Sequence, residues 1–162
     1  MYQIGDKVVY PMHGAGVIEA IEERVVLGEK HQYYTMRMPV GDMKVMIPLS
    51  NVKEIGLRDI IDSKKADEVL EYLSEYQSEE NANWNKRYRE NMVKMKTGDI
   101  FEVAAVVKML MCRDRSKGLS TGERKMLSNA KHILISELVL AKDMKHDEIE
   151  EIVTQKIFMK EA

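Results

Sequence analysis

The sequence has little of what secreted, membrane or disulfide-bonded proteins usually carry. Its 162 residues include one cysteine, Cys112, and three prolines. A single thiol cannot form an internal disulfide, which fits a reducing compartment such as the cytoplasm. No apolar run approaches the roughly 20 residues that span a membrane, and the N-terminus lacks the basic and apolar regions of a signal peptide. We therefore expect a cytoplasmic protein without membrane contact.

Residues that would carry catalysis or bind a metal are also few. No histidine has a carboxylate or cysteine at ligand spacing; the four are His13, His31, His132 and His146. Cys112 lies in an apolar helical pattern and is more typical of a packed side chain than of a nucleophile. The segment Gly14-Ala15-Gly16 lacks the lysine and the strand-to-helix context of a phosphate loop. We predict no catalytic residue, no metal, no cofactor and no enzymatic activity; a small hydrolase would need a convergent polar pocket.

Charge is nearly balanced over the chain but not along it. The formal net charge is −2, which gives no global attraction to nucleic acid. Residues 62–80 contain seven acidic residues and two lysines, whereas residues 81–96 contain five basic residues and one glutamate. The sign of the charge therefore reverses just before residue 84. A charge run usually marks only a solvated face, but this reversal localises a positive field.

The first 58 residues have the short apolar alternations that are typical of β-strands. Strands are predicted over residues 6–10, 32–38 and 43–47, with turn residues between them. Residues 17–26 suit either a strand or a helix, and residues 52–55 could add a short last strand. Strands this short and closely connected predict a small bent sheet or barrel.

From about residue 62 the apolar spacing changes to three and four, which is typical of amphipathic helices. Helices are predicted after a cap at Asp62 or Ser63, over residues 84–96, after Asp99, after Ser120 and from Asp147. Ser120 and Glu123 form a capping box, and residues 78–83 are predicted to be a polar loop. The predicted fold class is α+β, with a β domain over residues 1–58 and an all-α domain of about five helices over residues 62–162.

The only tryptophan, Trp84, is followed closely by Lys86, Arg87 and Arg89. A large apolar ring beside clustered cations can press on nucleic-acid bases while the cations hold phosphates. The ring can also pack inward and anchor the first turn of a helix, with the cations as its solvated face. The local sequence favours the second interpretation and does not exclude the first.

Motifs in both halves resemble a single protein family. In the first half these are Gly5-Asp6-x-Val8-Val9-Tyr10-Pro11-x-His13-Gly14, Gly41-Asp42, Pro48 and Arg58-Asp59. In the second half they are Asn83-Trp84-x-x-Arg87-Tyr88, Gly98-Asp99 and Gly118-Leu119-Ser120-x-Gly122-Glu123-x-x-Met126-Leu127. Along nearly its full length the chain resembles CarD/CdnL-type bacterial transcription regulators. Its first half also resembles the polymerase-interacting module of transcription-repair coupling factors.

The resemblance implies that the N-terminal domain is a Tudor-like or SH3-like bent sheet. That domain would dock on the β subunit of bacterial RNA polymerase. Arg24 matches a family arginine implicated in this contact, and Val26 matches a nearby apolar contact. Met46 departs from the family, which carries a basic residue there, and this implies a more apolar or weaker contact.

The resemblance further implies that the C-terminal helices lie on promoter DNA at the upstream edge of the melted region. Trp84 occupies the position of the family's tryptophan, which wedges into the minor groove and stabilises the open complex. Lys86, Arg87 and Arg89 match basic residues that contact phosphates. Arg124, in the first turn of the fourth predicted helix, falls where the family has a basic residue near DNA. No sequence specificity is expected from so few basic side chains.

An adaptor is the alternative to a DNA-binding regulator. In that case the β domain would bind polymerase or a repair motor, and the helices would bind a second protein without touching DNA. The partners expected are RNA polymerase and promoter DNA, without a membrane. We expect a monomer, with a domain-swapped dimer as the alternative.

Overall fold

Residues 7–59 form an antiparallel five-stranded sheet with the order β4-β3-β2-β1-β5. The protein is represented by a computed structural model, which describes residues 1–39, 41–77 and 83–159. The strands are β1 (Lys7–Tyr10), β2 (Gly14–Val26), β3 (Glu29–Arg37), β4 (Lys44–Pro48) and β5 (Arg58–Asp59). The register of β2 against β3 shifts between Ile18 and Ala20. Such a bulge bends a strand, in agreement with the predicted bent sheet.

The secondary structure of two segments in the N-terminal part differs from, or was left open by, the sequence pattern. Residues 17–26, which suited either a strand or a helix, belong to β2. The predicted strand over residues 52–55 is wrong, because these residues form the single-turn helix α1 (Val52–Ile55). Gly56 ends this turn with φ 79°, and its N–H bonds back to the carbonyls of Val52 and Lys53. A segment of one turn is too short for apolar spacing to distinguish the two structures.

The second half contains the helices α2 (Ser63–Glu75), α3 (Trp84–Lys96), α4 (Ile100–Ser116), α5 (Thr121–Lys142) and α6 (His146–Ile157). The predicted fold class, α+β with about five C-terminal helices, is confirmed. The side chains of Asp62, Asp99 and Ser120 cap α2, α4 and α5 as predicted. The last helix begins one residue before Asp147. Of the predicted polar loop, only Asn83 is among the described residues.

Each half has its own apolar core, and α5 joins the two halves. The sheet buries Ile18, Met36 and Ile47, while the helices bury a larger cluster around Leu110 and Leu134. At the junction the N–H of Ala15 in β2 donates to Oγ of Ser136 in α5 at 2.9 Å. Next to Ser136, the carboxylate of Glu137 accepts hydrogen bonds from the Arg58 guanidinium and from the N–H of Ile61. Two consecutive residues of α5 therefore attach the helices to the sheet.

Candidate interfaces for nucleic acid and polymerase

Trp84 is the first residue of α3 and lies at the surface with part of its ring covered. The side chain of Asn83 caps the helix by accepting a hydrogen bond from the N–H of Lys86 at 3.1 Å. Trp84 is 44% exposed. Its ring stacks on Tyr88, with ring centroids 5.7 Å apart and an interplanar angle of 23°. Tyr88 is half-buried and packs in turn against the helical core. The ring is therefore supported from the protein side and still offers apolar surface to a partner.

The polar edge of the Trp84 indole is held by the start of α5. Its Nε1–H donates to Oγ of Ser120 at 2.8 Å. The same oxygen accepts the N–H of Glu123 at 3.2 Å, which caps α5. A Cβ placed on Gly122 would lie 3.9 Å from Cζ2 of Trp84, so the ring also rests close to the first helical turn. The sequence identified Ser120 as a cap, but its contact with a residue 36 positions earlier leaves no signal in local spacing.

Arg87 is not among the surface cations. Its Nε donates to Oε2 of Glu123 at 2.8 Å and its Nη2 to Oε1 at 3.1 Å. Arg87 and Glu123 are each 1% exposed. Hydrogen bonds from Arg87 hold the pKa of the Glu123 carboxyl below its usual range, so the pair is ionic. This placement corrects the expectation of a phosphate contact, because the Arg87 guanidinium is buried and hydrogen-bonded to Glu123.

The other predicted DNA-contacting cations remain at the surface. Lys86 and Arg89, three residues apart, lie on the same side of α3, and both are exposed. Arg124 lies in the first turn of α5, which is the turn that carries the contacts to Trp84. Its Nη2 is 3.7 Å from a carboxylate oxygen of Asp114, and its side chain is 61% exposed. The fold therefore places one cation of α5 and two of α3 near the helix ends that hold the indole.

The three residues predicted to contact polymerase share one face of the sheet. Arg24 lies opposite His31 and Val26 opposite Glu29, whereas Met46 lies opposite Thr35. Residues directly opposite one another share a face, and so do alternate residues of β3. This is the face that turns away from the apolar core of the sheet. Arg24 and Val26 are exposed and Met46 is half-buried.

The end of the β2–β3 hairpin carries additional exposed apolar side chains, which were not predicted to be functional. Val25 is 66% exposed and Leu27, in the turn, is fully exposed. Leu27 has a positive φ of 52°, an uncommon conformation for a branched residue. Together with Val26, these residues give the hairpin an apolar tip next to Arg24.

The expectation that no histidine has a carboxylate at ligand spacing is wrong for His146: among the described residues, it belongs to one group of three side chains with the geometry of metal ligands. Ligand atoms of His146, Asp147 and Glu150 lie within 4.8 Å of one another. Nζ of Lys131 is 3.2 Å from Oε1 of Glu150, so a cation there would have to compete with a lysine. Across all of the residues that the structure describes, no helix is long and apolar enough to cross a membrane.

Comparison with known proteins matches the N-terminal and C-terminal parts of the chain to one family model each. The family model for the CarD-like/TRCF RID domain matches residues 2–61, and that for the C-terminal domain of CarD matches residues 68–154. The second match alone covers more than half of the chain. The chain therefore belongs to the CarD family of transcription regulators, and residues 2–61 are a domain of the polymerase-interacting type.

One curated relative agrees with this assignment. A Bacillus subtilis (strain 168) protein described as "Putative transcription factor YdeB" is 44% identical over 149 residues, which is 92% of this chain and 97% of the relative. The solution NMR structure of the 72-residue N-terminal domain of Myxococcus xanthus CarD is 37% identical. That match covers 36% of this chain and 79% of the other, with a TM-score of 0.32.

Proposed function

We propose that this chain binds the β subunit of RNA polymerase and stabilises the open promoter complex by placing Trp84 in the minor groove at the upstream edge of the bubble. In this proposal, residues 1–58 form the polymerase-interacting domain and residues 62–162 form the DNA-binding domain. The observation that carries it is the Trp84 ring, which is 44% exposed and stacked on Tyr88. A supported aromatic ring at the surface suits contact with bases.

A side chain that wedges between base steps must be held rigidly, but it does not need to form base-specific hydrogen bonds. Partial unstacking of one base step costs on the order of a few kcal/mol, and less where the duplex is already distorted by melting. Tyr88 lies behind the Trp84 ring and packs on the helical core, so pressure on the ring is met by a packed side chain. Discrimination among promoters would then follow from how easily a step opens.

The surface cations support only weak independent binding to DNA. Lys86, Arg89 and Arg124 provide at most a few phosphate contacts, and each such contact changes the slope of log K against log salt by only about 0.9. The formal net charge of −2 adds no further attraction. Attachment to polymerase would raise the local concentration of the helices at the promoter. The chain would then act where polymerase is bound and not along free DNA.

The polymerase contact is proposed for the sheet face that carries Arg24, Val26 and Met46. Arg24 is the cation of this set, and its side chain is 58% exposed with Glu22 3.4 Å away. Val26 and the apolar hairpin tip can bury surface, while Met46 provides an apolar contact without charge. We expect Arg24→Glu to weaken polymerase binding and to leave the affinity of the free protein for DNA unchanged.

The test compares Trp84→Ala with a matched aromatic variant. Tyr76→Ala removes another ring from a stacked pair, since Tyr72 and Tyr76 have centroids 5.1 Å apart and planes at 28°. With polymerase and promoter DNA, we expect Trp84→Ala to shorten the lifetime of the open complex while polymerase binding and helicity stay at the wild-type level. Tyr76→Ala should keep the wild-type lifetime. Loss of helicity or of polymerase binding in Trp84→Ala would make the residue structural and end the wedge proposal.

A second experiment separates the regulator from an adaptor. The lifetime of the open complex is measured on two promoter fragments. One includes the duplex at the upstream edge of the bubble, and the other is shortened so that this duplex is absent. We expect the effect of the protein to disappear when the upstream-edge duplex is removed. An effect of the same size on the shortened DNA would favour an adaptor that binds a second protein.

A further inference from the structure

We propose that Ser120 is a positioning residue for Trp84, and that the buried Arg87–Glu123 pair keeps Ser120 in place. The proposal rests on the proposed function of Trp84, because it assigns the residues that aim its ring. It concerns a hydrogen-bonded network that joins the first turns of α3 and α5, which are separated in sequence by α4.

The hydroxyl of Ser120 has all of its hydrogen-bonding capacity in use. It accepts the indole N–H of Trp84 at 2.8 Å and the backbone N–H of Glu123 at 3.2 Å, and it donates to Oε1 of Glu123 at 3.1 Å. A serine hydroxyl has one donor and two acceptor sites. Its rotamer is therefore fixed by three partners, and a fixed acceptor holds the indole edge in one orientation.

The carboxylate that accepts from Ser120 is itself held from the α3 side. Glu123 receives two hydrogen bonds from Arg87, and both residues are 1% exposed. Charge-assisted, two-point contacts of this kind are strong and have a defined geometry. Arg87 lies one helical turn after Trp84. The backbone that carries the ring and the hydroxyl that holds its edge are thus fixed to the same buried pair.

This arrangement would lower the cost of inserting the ring. A surface tryptophan that moves among rotamers must be ordered when it binds, and this ordering opposes binding. An indole that is already held by Ser120 and stacked on Tyr88 has lost that freedom in the free protein. The bound orientation is then available before DNA arrives.

The simpler alternative is that Ser120 only caps α5. Two substitutions separate capping from positioning. Glycine is nearly as good an N-cap as serine but has no hydroxyl, whereas threonine has a hydroxyl and also caps. A pure capping role therefore predicts nearly wild-type behaviour for both Ser120→Gly and Ser120→Thr. A positioning role predicts that Thr restores what Gly loses.

The first readout is the indole N–H of the free, full-length protein. Because Trp84 is the only tryptophan, its Nε1–H gives a single indole signal in a proton–nitrogen NMR spectrum. We expect its hydrogen exchange to be at least about fivefold faster in Ser120→Gly than in the wild type, as for loss of one hydrogen bond, and to be restored in Ser120→Thr. Fluorescence anisotropy of the same ring should fall in Ser120→Gly.

The second readout is the lifetime of the open complex with polymerase. We expect Ser120→Gly to shorten it with unchanged polymerase binding, and Ser120→Thr to retain it. Asp99→Ala is the matched control, since it removes the cap of α4 beyond the far end of α3. It should lower the stability of the fold and leave the indole exchange rate unchanged.

The outcomes distinguish this inference from the function on which it rests. Equal indole exchange in the wild type and Ser120→Gly overturns the positioning role, whatever the lifetimes are. Faster exchange without a shorter lifetime overturns it as well, provided that Trp84→Ala shortens the lifetime. A lifetime that Trp84→Ala does not change overturns the proposed function itself. If Ser120→Gly fails to fold, wild-type exchange as fast as that of free N-acetyltryptophanamide overturns the inference.

Discussion

The guanidinium of Arg58 forms two hydrogen bonds with the buried carboxylate of Glu137, each 2.8 Å long. Nε of the same arginine donates to the carbonyl of Gly98 at 3.0 Å. Arg58 belongs to β5 and Glu137 to α5, while Gly98 lies between α3 and α4. One side chain of the sheet therefore contacts two separate parts of the helical domain.

Glu137→Gln should destabilise the protein strongly. The substitution leaves Arg58 opposite a neutral amide at a site where Glu137 is 0% exposed, and breaking such a pair costs about 3 kcal/mol. Urea unfolding measures the change. The control, Asp42→Asn, removes the partner of an exposed pair with Arg37 and should cost below about 1 kcal/mol. Equal losses in the two variants would contradict the structural role of Glu137.

Arg87→Met should be more destabilising than the double variant Arg87→Met/Glu123→Gln. The single change leaves the Glu123 carboxylate buried without its guanidinium, at a cost of about 3–5 kcal/mol. In the double variant the charge is also removed, while glutamine can still serve the capping box. A double-mutant cycle on unfolding free energies gives the coupling. Additive losses would mean that the two side chains do not depend on each other.

Gly14→Ala should destabilise the junction more than Gly5→Ala destabilises the sheet. Both glycines have positive φ, 116° and 95°, so alanine is strained at either position. Only at Gly14 would the new Cβ meet a neighbour, Oγ of Ser136 at 2.8 Å. We expect an additional loss of about 1–3 kcal/mol for this overpacking. Thermal or urea unfolding of the two variants compares them directly, and equal losses would exclude a tight contact at Gly14.

The stability of the fold should depend on pH through His132. Burial lowers the pKa of His132 below its value of 6.5 in the unfolded chain, against an opposing hydrogen bond to the backbone of His13. The unfolded state then binds the proton more readily, so the contribution of His132 is full above pH 6.5 and is lost as the pH falls toward the folded-state pKa. Unfolding free energies at pH 5.5 and 7.5 should differ less in His132→Gln than in the wild type. An unchanged difference would refute the prediction.

Local signals in the sequence were sufficient for the helices but not for the network between them. Asp62, Asp99 and Ser120 act on backbone groups two or three residues away, so the capping pattern locates the starts of α2, α4 and α5. The position of Arg87 depends on Glu123, which lies 36 residues later. In the local sequence Arg87 is one more cation beside Trp84. Only the packing of α3 on α5 shows that Arg87 is buried while Lys86 and Arg89 are exposed.

The β half was less predictable for a related reason. Residues 52–55 form a single turn, whose assignment depends on Gly56 closing it. The ambiguity of residues 17–26 ended because β3 pairs with them along nearly their whole length, and pairing between strands is not visible in the apolar spacing of one strand.

Helix α5 and its N-cap residue Ser120 carry both the hydroxyl that holds Trp84 and the carboxylate that holds the sheet. Ser120 and Glu137 lie near opposite ends of the helix, about 26 Å apart at 1.5 Å per residue. The helix is therefore a spacer of set length and set rotational phase. One residue inserted between the two sites would rotate one end by about 100° relative to the other, whereas four would nearly restore the phase and add about 6 Å. The number of residues between Ser120 and Glu137 thus fixes how far from the sheet, and in which direction, the indole is presented.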